Sequence, residues 1–374
     1  MIALSRLVGL LVISAIAMSA GLARAAGDPV NGKTLYEENC LGCHGVVPDT
    51  DAKRAAGDVG ELQFAIANVN EMKKAILRAL TVDQLTDITA YLATFVKTAP
   101  DNYQGLWWKA PGGSENGWGI NFAHQGETIF GTWFTYDTTG KGWWLTLIAD
   151  DNATHGVYTG SVFATTGPPF NTVPFVKTGP PPPATGTATL TFTDANNGSF
   201  HYDVNLPSGK VSQTKAITRQ PLGAAAMATC VFGGPPTLAA ATNYQDIWWA
   251  GSSANPGTEQ GWGINFAQQG DIVFASWFTY DLDGTPLWLV ATLAKLAPGL
   301  YKGDLFRPSG PSFYAYDGNQ FNANPSVGTL TLNITDGNNA SITYTVQLAG
   351  MANSVTQTKS ITRQLFSASG TTCK

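Results

Sequence analysis

Hydrophobic and polar positions along this 374-residue chain fall into two textures that meet near residue 100. Over 27–97 apolar residues recur at helical spacing, in runs such as Leu35-Tyr36, 75–80 and 85–95, which predicts a set of short helices. The first begins near Asp28-Pro29, where the aspartate caps and the proline fits the first turn. The last opens on Thr81-Val82-Asp83-Gln84, a capping box, and carries Leu85, Ile88, Leu92 and Phe95 on one stripe. From Tyr103 onward, short alternating apolar runs punctuated by Gly, Asn and Pro turn signals predict strands instead.

The second texture is written twice. Tyr103-Gln104-Gly105-Leu106-Trp107-Trp108 returns as Tyr244-Gln245-Asp246-Ile247-Trp248-Trp249, and Gly117-Trp118-Gly119-Ile120-Asn121-Phe122-Ala123 returns over 261–267. Trp133-Phe134-Thr135-Tyr136-Asp137 reappears over 277–281, and the segment 213–220 reappears over 357–364. Preserved order identifies a tandem repeat. The first copy holds eight candidate strands, near 105–108, 117–124, 128–136, 142–149, 156–165, 186–194, 199–206 and 210–220. Eight consecutive strands suit an up-and-down barrel or a two-sheet sandwich, and the barrel is preferred because closure removes exposed edges. Gly179-Pro180-Pro181-Pro182-Pro183 is expected as a stiff exposed loop, since proline lacks the donor a ladder needs.

The expected architecture is therefore multi-domain, a small all-α domain followed by two all-β repeats of about eight strands each. Its boundaries are a signal peptide over 1–25, the helical domain over 26–98, a linker over 99–102, and repeats over 103–233 and 234–374. Arg6, the apolar run 7–22 and Ala23-Arg24-Ala25 have the form of a secretory signal cleaved after Ala25, and the run is shorter than the ~20 residues of a spanning helix. The expected location is periplasmic or secreted, with no transmembrane segment in the mature chain. Net charge is −5, or −7 once Arg6 and Arg24 leave with the signal, which argues against nucleic acid as a partner. Of four cysteines, Cys230 and Cys373 follow the two repeats at matched places, so a disulfide and two free thiols are both open.

Chemistry concentrates in Cys40-Leu41-Gly42-Cys43-His44. Two thiols at this spacing reach the two vinyl groups of a haem as thioethers, and the adjacent imidazole reaches the iron. A thioredoxin-like pair would want a parallel-sheet context, and a zinc site would want a second Cys or His pair, which 45–100 does not supply. The expected cofactor is one covalent haem c. A second axial ligand is sought in Met72, the one methionine over 27–100, in the polar stretch 68–74 where a thioether has little apolar surface to pack on. The site residues are thus Cys40, Cys43, His44 and Met72, with His44 and Met72 on the iron and no catalytic residue. Lys53, Arg54, Lys73, Lys74 and Arg78 either ring the haem edge or are solvated surface.

Gly32-x-x-Leu35-Tyr36, Cys40-x-x-Cys43-His44-Gly45, Met72 and Leu80-Thr81-x-x-Gln84-x-x-Asp87-Ile88-x-x-Tyr91-Leu92 together resemble a short class I, mono-haem cytochrome c over roughly seventy residues. The resemblance implies thioether links at Cys40 and Cys43, ligation by His44 and Met72, and packing of Gly32 and Tyr36 against Tyr91. The tandem repeats resemble a Trp-rich β repeat of secreted bacterial proteins, marked by Trp-Trp, Gly-Trp-Gly and Trp-Phe-x-Tyr-Asp, a resemblance that implies architecture and no activity.

Within the repeats, Trp107, Trp118, Trp133 and Trp144 and their counterparts Trp248, Trp262, Trp277 and Trp288 are expected mainly as barrel core, with a ligand platform as the alternative. The second copy has no histidine, while the first has His124, His155 and His201, which excludes a shared histidine triad or metal site. Asp137 and Asp281 precede turns, and Arg219 and Arg363 near the last strand are candidates to plug a barrel end. The favoured reading is an exported electron carrier, not an enzyme, with a redox partner protein and with the repeats as docking modules. Two alternatives stand beside it: an electron-accepting haem subunit of a periplasmic dehydrogenase, and a surface-binding or adhesion protein whose repeats take a carbohydrate or surface ligand and whose haem domain is accessory.

Overall fold

A computed structural model describes residues 27–46, 48, 52, 55, 58–94, 101–152, 154, 156–232, 238–367 and 370–374. The signal segment 1–25, Lys53, Arg54, Phe95, part of the linker and His155 lie outside the described residues. The chain divides into two compact units, Met1–Thr98 and Ala99–Lys374.

The first unit is helical, with α1 Pro29–Asn39, α2 Leu41–His44, α3 Val59–Asn68, α4 Ala75–Arg78 and α5 Val82–Ala93, and a 3-10 turn Asn70–Met72 after α3. Asp28 caps α1 by accepting from the Val30 N–H at 2.8 Å, and Thr81 and Gln84 form a reciprocal capping box at the start of α5. α1 and α5 cross at glycine contact. A Cβ on Gly32 would stand 1.9 Å from the Asp87 carbonyl oxygen, so no larger residue fits there. The Asp87 carboxylate ties the crossing by accepting from the Asp28 N–H at 2.8 Å and the Asn31 amide at 2.7 Å, and the Tyr36 and Tyr91 rings lie 5.4 Å apart. Leu35, Leu62, Ile66, Leu77, Leu85, Ile88 and Leu92 complete the small core.

The second unit is a pair of barrels. β1 Gly105–Lys109, β2 Gly119–Gln125, β3 Thr128–Tyr136, β4 Gly142–Asp151, β5 Val157–Ala164, β6 Gly186–Asp194, β7 Asn197–Leu206 and β8 Gly209–Arg219 form a closed antiparallel barrel in chain order, so the sandwich alternative falls. β1 closes on β8, with Trp107 opposite Arg219. The second barrel repeats this with β10 Asp246–Ser252, β12 Gly263–Gln269, β13 Ile272–Tyr280, β14 Pro286–Ala297, β15 Leu300–Phe306, β16 Ser326–Ile334, β17 Asn339–Val346 and β18 Val355–Arg363. It closes in the same register, Trp248 opposite Arg363, and β11 Asn255–Pro256 is a short return on β10. Outside both barrels, β9 Cys230–Phe232 pairs with β19 Thr371–Cys373, and Cys230 and Cys373 form a disulfide across that ribbon.

The barrels plug each other. The connection between β5 and β6 sends Phe170 and Phe175 into the core cluster of the second barrel, and the connection between β15 and β16 sends Phe313 into the core of the first. Each plug is latched by the same bonds. Tyr202 donates to the Phe313 carbonyl and Tyr344 to the Phe170 carbonyl, both at 3.1 Å. Gln213 and Gln357 donate to the neighbouring carbonyls of Tyr314 and Asn171. The same symmetry governs the contact between barrels, where the Trp144 indole donates to the Thr279 carbonyl and Trp288 to that of Thr135, both at 2.8 Å.

Eight of the eleven tryptophans therefore split three ways. Trp107, Trp133, Trp248 and Trp277 fill the barrel interiors at 2% exposure or less, whereas Trp144 and Trp288 are buried between the barrels. Trp118 and Trp262 lie under the ammonium groups of Lys215 and Lys359, each lysine paired with a glutamate, Glu115 or Glu259. Arg363 ends the second barrel buried over Trp248, bonded to Asp246 and to the carbonyls of Gly337, Gln245 and Asn243. Arg219 lies likewise over Trp107.

By extent the chain is β: among the described residues, nineteen strands stand against five short helices. The expected cytochrome c domain followed by two β repeats is corrected by this architecture to two eight-stranded barrels preceded by a small unit of short helices.

Candidate functional site

The helical unit forms a cavity of about 510 Å³ lined by residues from each of its five described helices. α1 ends at Cys40, whose N–H still bonds to the Tyr36 carbonyl, and α2 carries Cys43 and His44 on the next turn. This break between two short helices places both thiols and the imidazole on one wall. Met72 reaches the cavity from the 3-10 turn, and Leu62, Leu77, Ile88 and Leu92 supply apolar lining from α3, α4 and α5. Met72 packs against the apolar core despite its polar sequence neighbours. All four sequence-derived site residues, Cys40, Cys43, His44 and Met72, thus line one space.

Cys40 and Cys43 are both thiols, while the chain's other two cysteines are bonded to each other. Burial pushes the Cys40 thiol up to about 11, with the neighbouring Cys43 adding to the shift. An attacking thiol in dithiol exchange needs the opposite, a depressed pKa that supplies thiolate at neutral pH, so Cys40 is unsuited to that role. Among the described residues no group of three or more His, Cys, Asp or Glu stands together as a metal cluster. Lys74 lines the cavity and brings its ammonium 3.8 Å from the Cys43 sulfur. Lys73 is engaged elsewhere, with the Asn70 side chain at 3.2 Å.

The donor set fits a covalently held haem. The volume falls within the roughly 300–1,000 Å³ of sites that enclose a cofactor-sized ligand. Two thiols and an imidazole lie on consecutive turns, a soft thioether comes from a separate segment, and aliphatic side chains supply the apolar surroundings a porphyrin requires.

No family model matches the chain, and no curated protein matches it. Among solved structures, a mutant of transferrin-binding protein B from Haemophilus parasuis is similar at 8% identity and a TM-score of 0.21, over 64% of this chain and 67% of that one. Intact Ap-TbpB, with its N and C lobes, is similar at 8% identity and a TM-score of 0.22, over 69% of this chain and 62% of that one. Likenesses at such scores are too low to argue from. With no matching family model or curated protein, the class I cytochrome c family, and cytochrome c and electron transfer as descriptors of this chain, are corrected, and a redox partner protein has no support. Short motifs specify local chemistry, and no match extends them to a family.

Residues that sequence reading missed lie in the second unit. The plugs Phe170 and Phe313 occupy matched places in long connections, and aligning the repeats through those loops would have exposed them. Lys177, which lines a cleft between the barrels, carried no motif, and Trp249 beside it stood only in the repeated Trp-Trp block with no role assigned.

Proposed function

We propose that this chain is an exported binding protein, a double β barrel that engages a surface or protein ligand and carries a small helical unit holding one haem c. Cys40 and Cys43 would hold the group as thioethers, His44 and Met72 would be the residues that ligate its iron, and Ile88 and Leu92 would exclude water from it. When bound, a haem with histidine and methionine ligands supplies one-electron redox chemistry. The observation that supports the reading is the convergence of those four side chains, from two separate segments, on one largely apolar cavity. Export is supported by the Cys230–Cys373 disulfide, which persists in oxidising compartments, and no helix of the described residues is long and apolar enough to cross a membrane. The chain is not an enzyme in this reading.

The test is to express the whole protein through an export route competent for covalent haem attachment. Pigment should stay with the polypeptide through denaturing electrophoresis and acid-acetone extraction, Cys40→Ala with Cys43→Ala should abolish it, and Met72→Ala should alter the iron spectrum while leaving attachment intact. Extractable pigment, or none, refutes the haem. Retention of the protein on polysaccharide or cell-surface material reads the barrel function separately.

A further inference from the structure

We infer that the cleft between the two barrels beside Trp249 binds a single six-membered ring bearing a carboxylate, with Lys177 as its counter-charge. The inference rests on the reading of the double barrel as a binding body and names the ligand chemistry of that body. The cleft has a volume of about 220 Å³, room for one ring, and is lined by Trp144, Trp249, Trp262, Tyr280, Thr132 and Lys177 among others. Indole and phenol surfaces in this density hold a flat or cyclic ligand by its faces.

Lys177 is the chemical signal. The other lysines bracketing the barrel ends, Lys215 and Lys359, are each paired with a glutamate at 2.6 and 2.7 Å. Lys177 has no carboxylate at ion-pair distance among the described residues; its ammonium has the Tyr280 hydroxyl at 3.4 Å and the Tyr280 ring centroid at 5.7 Å. Burial lowers its pKa, the mark of a cation drawn partly out of water with no counter-charge.

The internal repeat supplies a control. Gly117 and Gly261 are counterparts, and a Cβ on Gly117 would meet the Phe321 ring at 2.3 Å, whereas one on Gly261 would meet the Lys177 stem at 2.6 Å. Against this glycine the first barrel thus has an aromatic ring, and the second has a charged stem in the same place. Thr132 and Trp249 both line the cleft, and the buried hydroxyl of one and indole N–H of the other have no hydrogen-bond partner among the described residues. Their counterparts Ser276 and Trp108 share that state, so the exchange of Phe321 for Lys177 is what separates the two barrels here.

The test titrates the whole protein with glucuronate and benzoate, and with the neutral rings glucose and benzyl alcohol, followed by tryptophan fluorescence and calorimetry. At least one carboxylate should bind about tenfold more tightly than its neutral partner, a difference Lys177→Met removes and Lys177→Arg retains. Lys177→Phe, which copies the aromatic ring of the first barrel, should abolish binding, and thermal melts of the three variants report that each is folded. Preference for glucuronate identifies a sugar acid, and preference for benzoate an aromatic acid. The inference is overturned if neither acid binds in the millimolar range, if neutral rings bind equally, or if Lys177→Met keeps the preference. Surface retention that survives Lys177→Met removes this site and leaves the binding body; absence of retention in the unmutated protein removes the binding body itself.

Discussion

Acid should weaken the first barrel through one buried histidine, and the second barrel supplies the control. His124 is fully buried, its ring stacked near Tyr103 and edge-on to Tyr158 and Phe232. Its Nδ1 accepts from the Tyr103 N–H at 3.1 Å, and its Nε2 has no partner among the described residues. Burial, assisted by the nearby Arg219, drives its pKa from the ordinary 6.5 to about 3. Between those two values the unfolded chain binds a proton that the folded chain refuses, so stability is complete above about pH 6.5 and declines as pH falls towards 3. Linkage makes the loss about 2 kcal/mol at pH ~5 and about 3 kcal/mol at pH ~4. At the equivalent place the second barrel has Gln268, whose side-chain oxygen accepts from the Tyr244 N–H at 2.8 Å. His124→Gln therefore keeps the bond and removes the titration. Urea unfolding followed by tryptophan fluorescence is specific to this unit, because all eleven tryptophans lie within it. The unmutated protein should lose about 2 kcal/mol more than His124→Gln between pH ~7 and ~5. Equal losses would refute the argument.

Two further outcomes follow from the barrel pair. Phe313→Ala and Phe170→Ala each empty a plug site in the opposite barrel, where the rings lie against Trp133 and Tyr202 or against Trp277 and Tyr344, and each should cost about 3–5 kcal/mol in chemical denaturation. A loss under about 1 kcal/mol would mark them as ordinary loop residues. Reducing Cys230–Cys373, which closes a separation of 143 residues around the second barrel, should lower stability by about 2–5 kcal/mol while the fold persists, and a denaturation midpoint unmoved by reductant contradicts this.

Strand positions were legible because alternation and turn signals are local: the expected 128–136 and 142–149 appear as Thr128–Tyr136 and Gly142–Asp151. The caps at Asp28 and Thr81 were legible for the same reason. What sequence could not assign was burial on both faces of β3, where Trp133 fills the barrel and Phe134 packs outward on Phe278 and Trp288 of the other barrel. An apolar residue shows that it will be covered and is silent about what covers it. The same limit applies to Lys177, whose meaning depends on the barrel opposite. In the helical unit, local spacing picked out Cys40, Cys43 and His44, elimination picked out Met72 as the one methionine there, and folding brings all four to one cavity; extending those motifs to a family was the step that failed.

Reciprocal plugging also constrains how a ligand can act. A lone repeat would lack the ring that fills its own core, since Phe313 and Phe170 come from the opposite copy. The cleft holding Lys177 has walls from both barrels, Trp144 and Thr132 from one and Trp249, Trp262 and Tyr280 from the other. Lys177 itself belongs to the same β5–β6 connection that delivers Phe170 and Phe175 into the second barrel. Seating the plug therefore positions the cation, and a ligand that pairs with Lys177 stabilises the plugged state by mass action. The duplication thus supplies more than a second copy of one barrel: it creates a site that neither copy contains.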